Sequence, residues 1–186
     1  MEVYDLLVLA TESAMALAGF AGIIATFQFR AQERVRRADA VGLTIIVVFS
    51  LLAAVQCGLL LILHVLGVEE TSIWMTGSIL AAALNIYHFS RFLKNIDGSI
   101  RNSRLLTIMW ILQLASVVIF VANMLNAFNV VFHREPGPVL LSLAYSMFLA
   151  GYMFSRLLLI PIWRIVHKQN SADKPKTATS DSPEAV

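Results

Sequence analysis

Hydrophobic positions along this chain gather into long unbroken runs, without the short alternations of a sheet or the one-sided stripes of a soluble helix. Five runs stand out, at residues 5–27, 40–66, 73–93, 105–132 and 139–163. Each reaches the length a helix needs to cross a bilayer, about 20 residues. The expected fold is therefore all-α and polytopic, a bundle of five transmembrane helices filling residues 1–168. Residues 169–186 are polar and rich in Ser, Thr and Pro, and are expected to form a disordered tail. Ser72 and Ser103 suit helix N-caps, and Pro136 and Pro138 suit a first turn. Pro161 is expected to kink or end the fifth helix.

The first run, DLLVLATESAMALAGFAGIIATF, differs from the others by holding an acid, Glu12, well inside it. At about 100° per residue, Ala16, Gly19, Ile23 and Thr26 share the sector of Glu12. Roughly opposite, Ala14, Ala18, Ala21 and Ala25 form a ladder of small residues, and Leu17, Phe20, Ile24 and Phe27 fill a third sector. Small residues let helices approach closely inside a membrane. Ala14, Ala18, Gly19, Ala21, Gly22 and Ala25 are thus expected at tight helix contacts, within the bundle or between subunits. A charged carboxylate against lipid is costly, so Glu12 should face protein or water, be protonated, or be paired.

Composition strengthens this picture. The chain is 58% hydrophobic and 14% charged, where a soluble domain carries about 25% charge. Charge placement then suggests an orientation. Of the 14 Lys and Arg, all but Arg134 fall at one end of the expected spans, whereas the opposite loop VEETS is acidic. The positive-inside rule puts the N-terminus outside and the C-terminus in the cytoplasm, in a bacterial cytoplasmic (inner) membrane. No basic n-region precedes the first run, so a cleavable signal peptide is not expected. Arg91, Arg156 and Arg164 would form an inner basic ring against anionic headgroups.

Polar residues recur inside the other runs at helical spacing. Ser78, Asn85 and His88 align in the third, Gln113, Ser116 and Asn123 in the fourth with Asn126 nearby, and Ser142, Tyr145, Tyr152 and Arg156 in the fifth. Counted from the outer end, Gln56, Ser78, Asn123 and Tyr145 fall near the depth of Glu12. A polar layer around an acid suits a proton or small-cation path. The plainer reading is a set of interhelical hydrogen bonds, each averaging under about 1 kcal/mol.

Other chemistries find little support. One cysteine, Cys57, allows neither an intrachain disulfide nor a cysteine-cluster metal site. His64 and His88 lie at different depths, so they cannot share a haem, and no cofactor is expected. His64, His133, Glu69, Glu70 and Glu135 lack metal-ligand spacing. There is no metalloprotease, nucleophile-elbow or phosphate-loop motif. The expected partners are membrane lipids and further copies of the chain, with no nucleic acid. The leading expectation is a homo-oligomeric, channel-like conduit for protons or small cations and not an enzyme. The alternative is a non-conducting structural or accessory membrane subunit. An intramembrane lipid-acting enzyme ranks last, for want of a nucleophile–base pair.

Overall fold

A computed structural model of the chain describes the backbone of residues 3–31, 37–96 and 103–172. These residues form five helices and, among the described residues, no strand. They are α1 (Val3–Ala31), α2 (Arg37–Val65), α3 (Glu70–Ile96), α4 (Ser103–Ala127) and α5 (Gly137–Ala172). Four carry segments long and apolar enough to cross a membrane: Val3–Phe27, Gly42–Val65, Trp110–Ala127 and Gly137–Leu159. This is the make-up of a membrane-embedded protein. α3 is long enough at 27 residues, but Thr76, Ser78, Asn85, His88 and Ser90 dilute its apolar run and it is not among the four.

The helices alternate in direction. Tyr4, at the start of α1, stacks on His64 at the end of α2. Gln56, late in α2, donates to the carbonyl of Gly77, early in α3. Ser78, early in α3, meets Asn126 at the end of α4. Phe20 of α1 and Phe154 of α5, each well along its helix, lie with ring centroids 6.5 Å apart, so these two run parallel. α5 touches every other helix. α2 lies against α1, α3 and α5, and the backbone of α1 approaches neither α3 nor α4. α1 and α4 therefore flank a centre made by α2, α3 and α5.

Gly77 shows how close that centre packs. A Cβ there would lie 3.1 Å from Leu60 Cδ2 and 3.2 Å from Val139 Cγ1. The missing side chain lets α3 settle against α2 and α5 together. One apolar cluster surrounds this junction, including Leu60, Ile73, Trp74, Val139 and Leu143. A second, toward the other end, joins Ala21, Leu43, Ile46, Ala150 and Leu157.

Several element boundaries differ from those expected. The fourth apolar run continues to Phe132, but α4 stops at Ala127 and residues 128–136 form an irregular turn. Side-chain and backbone hydrogen bonds at Asn126 favour the turn over further helix, as described below. α5 passes through Pro161 to Ala172 and does not end there; a proline removes one N–H, a loss a long helix can carry. Ser72 lies inside the first turn of α3 and is not its cap, because its N–H already donates to the Glu69 carbonyl at 2.9 Å. Pro136 does serve the start of α5, its carbonyl accepting from Leu140 N at 2.9 Å. Residues 173–186, most of the expected tail, lie outside the described residues.

Candidate functional site

α1 turns one side inward. Leu7, Ala14 and Ala21 are each 0% exposed, and a spacing of seven returns a helix to nearly the same face. Leu7 and Ala14 pack in one cluster with Ala53, Ala54 and Cys57 of α2, and Ala21 in the other with Leu43 and Ile46 of α2. Small residues on both helices allow the close approach. Ala18 and Ala25, the remaining rungs of the alanine ladder, are half-buried.

Glu12 stands two residues before Ala14, about 200° around the helix. It is exposed, and so are Ala16, Gly19, Ile23 and Thr26, its whole sector. Among the described residues, no hydrogen bond or ion pair engages the Glu12 carboxyl. Gly19 and Gly22 have nothing within 4 Å of where a Cβ would sit. Thr26 satisfies its own hydroxyl, donating to the Gly22 carbonyl at 3.0 Å. The outward face of α1 is thus largely apolar, with Glu12 well inside it and Asp5 nearer its start.

The expected layer does not close around Glu12 within one chain. The alanine ladder takes the inward side of α1, and the acid opposite it is turned away from the bundle. Gln56, Ser78 and Asn123 are buried and Tyr145 half-buried, each with a partner of its own. Gln56 Nε2 donates to Gly77 O at 3.3 Å. Asn123 Nδ2 donates to the carbonyls of Ile119 and Pro138, at 2.9 and 3.2 Å. Tyr145 Oη donates to Leu112 O at 2.8 Å.

Three residues that did not figure in the layer, Asn126, Ser116 and Asn85, carry much of the polar structure. Asn126 is fully buried. Its Nδ2 donates to Ser78 Oγ at 2.7 Å and to the Glu135 carbonyl at 2.9 Å, and its Oδ1 accepts from Glu135 N at 3.0 Å. One side chain so ties α3, α4 and the turn into α5. Further along the same seam, Ser116 Oγ donates to Asn85 Oδ1 at 2.8 Å, and Asn85 Nδ2 donates to Ala81 O. The helical spacing of Asn85, Ser116 and Asn126 was a visible signal; their pairing across helices was not. The seam is not complete, since Ser50 Oγ and Asn123 Oδ1 are buried without a partner.

His64 and His88 join aromatic stacks. His64 lies 3.6 Å from the Tyr4 ring centroid, and Tyr4 lies 5.9 Å from Trp74, whose Nε1 donates to Glu70. His88 stacks on Phe49 at 4.1 Å, separated from His64 by about half the length of α2. Arg156 is half-buried on α5; the side chains of Arg91 and Arg164 lie outside the described residues.

No family model, curated protein or solved structure matches the chain. What the site can do follows from its own chemistry. A carboxyl on the open face of an apolar helix can accept hydrogen bonds from a second helix, hold a cation, or pass a proton to water. In the bilayer it is also the group with most to gain from being covered.

Proposed function

We propose that the protein is a small integral membrane protein that self-assembles through the Glu12 face of α1 and forms, between copies, a conduit for protons or small cations. The observation that carries this reading is the exposure of Glu12 together with Ala16, Gly19 and Ile23 in the middle of a membrane-length helix. A charge at the centre of a span costs about 2.5–3.5 kcal/mol on insertion scales. A second copy against this face takes the carboxyl away from lipid, and a water-lined axis or a proton shared between facing carboxyls would offset that cost. Copies in one membrane share an orientation, so their Glu12 side chains meet at one depth around a common axis.

The proposed topology has five spans, N-terminus out and C-terminus in, in a cytoplasmic membrane. α3 counts as the fifth span because Trp74 near its start stacks toward Tyr4 while His88 near its end stacks on Phe49. It therefore runs beside α2 across much of the same thickness. Its polar residues are tolerable because α2, α4 and α5 surround it. The alternating directions and the charge bias agree with that orientation.

The second reading, a non-conducting structural subunit, draws on the seam. Gln56, Ser78, Asn123 and Tyr145 all bond within the chain. Flux measurements in liposomes separate the two. The conduit predicts proton or cation leak above empty vesicles, altered in rate or selectivity by Glu12→Gln, which keeps shape and removes charge. Silent vesicles across pH and voltage, from a correctly assembled oligomer, would leave the structural reading.

A further inference from the structure

The turn joining α4 to α5 combines backbone strain with an exposed apolar surface. Three non-glycine residues adopt positive φ: Asn129 at 60°, His133 at 50° and Arg134 at 60°. Such conformations persist only where the surroundings hold them. Here both ends are held. Phe128 N and Val130 N donate to the carbonyls of Met124 and Leu125, at 3.0 Å each, closing the end of α4. At the far end Glu135 is clamped on Asn126 by two hydrogen bonds, at 2.9 and 3.0 Å.

The clamped turn leaves its apolar residues outside. Phe128 is 74% exposed, Val130 62% and Val131 51%. An apolar segment in water would fold back onto the protein; this one is fixed facing outward. Its position is fixed as well. It connects Trp110–Ala127 to Gly137–Leu159, two membrane-length segments, and its ends are drawn together at Asn126. It therefore sits where those helices leave the hydrocarbon. Val117, Val118 and Val121 on α4 below it are exposed and apolar too. His133, Arg134 and Glu135 follow the apolar residues at once, giving an apolar part and a polar part suited to the two sides of a headgroup boundary.

We propose that the α4–α5 turn is a lipid-interface anchor, with Phe128, Val130 and Val131 inserted among the upper acyl chains of the adjacent leaflet. The occupant is lipid and not a second copy, because the apolar strip continues down α4, a helix that does not touch α1 and its Glu12 face. The proposal depends on membrane embedding alone and stands whether or not the protein self-assembles.

The test places a nitrobenzoxadiazole label on Val130→Cys, and separately on Val131→Cys, in phosphatidylcholine vesicles. Cys57 is buried, so the native chain serves as the labelling blank. A label on Glu69→Cys, in the α2–α3 link, is the water-exposed reference. Blue-shifted emission is expected at both turn positions, with several-fold stronger quenching by shallow nitroxide lipid than at residue 69 and weaker quenching by aqueous iodide. Iodide quenching equal to that at residue 69 would overturn the anchor. Protection from both quenchers would also overturn it, since protein would then cover the turn.

Discussion

The α3–α4 seam and the outward face of α1 place polar groups inside equally apolar surroundings, and treat them in opposite ways. Asn126, Ser78, Asn85 and Ser116 turn toward one another and toward backbone carbonyls. Glu12 is exposed, with no partner among the described residues. Where water is absent, a polar group must find a partner. The seam finds its partners by folding; the α1 face is left to find one by assembly. The glycines tell the same story, since Gly77 is enclosed by Leu60 and Val139 whereas Gly19 faces open space.

The contrast breaks first at Asn126. Replacing it with Leu removes three hydrogen bonds and strands Ser78 and the Glu135 backbone, a loss of roughly 1–3 kcal/mol. Thermal unfolding in detergent should shift down clearly, and an unchanged midpoint would mean the seam does not hold the bundle. Gly77→Val comes next. The added atoms collide with two packed side chains, and overpacking typically costs about 1–3 kcal/mol; the same melting experiment reads it, with full stability as the contrary result. Tyr145→Phe deletes only the bond to Leu112, so a loss near the membrane average of about 0.6 kcal/mol is expected. The smallest effect on the single chain belongs to Gly19→Leu. Its monomer should melt within about 0.5 kcal/mol of the native chain, while its oligomer, sized by native mass spectrometry, should fall apart. A variant that lost monomer stability and kept its oligomer would reverse the assignment of the two faces.

Much of this was legible along the chain. The apolar runs predict helices because nothing else satisfies a backbone in lipid, and the sector shared by Glu12, Ala16, Gly19, Ile23 and Thr26 follows from helix geometry alone. The choice of inward face was not legible. The Ala14 ladder and the Gly19–Gly22 pair are both narrow enough for close contact, and only the small surface of α2 around Ala53, Ala54 and Cys57 decides between them. The end of α4 was hidden for a different reason. Phe128 to Phe132 is apolar enough to continue a span, and the stop comes from Asn126 reaching Glu135 across the turn, a long-range bond that hydropathy does not contain. The polar layer was a matter of depth. Depth can be counted along a helix, but the direction in which Gln56, Asn123 and Tyr145 point depends on their neighbours.

The central claim is that the Glu12 face of α1 meets a second copy, and cysteine cross-linking in native membranes tests it most directly. Ala16 is exposed one turn from Glu12, and Val55 is 64% exposed on α2. With Cys57 buried, an Ala16→Cys chain under mild oxidation should give a disulfide-linked dimer in high yield, at a rate independent of dilution with lipid. Val55→Cys should remain monomeric. Absence of dimer at Ala16, or equal dimer at both positions, would contradict the account.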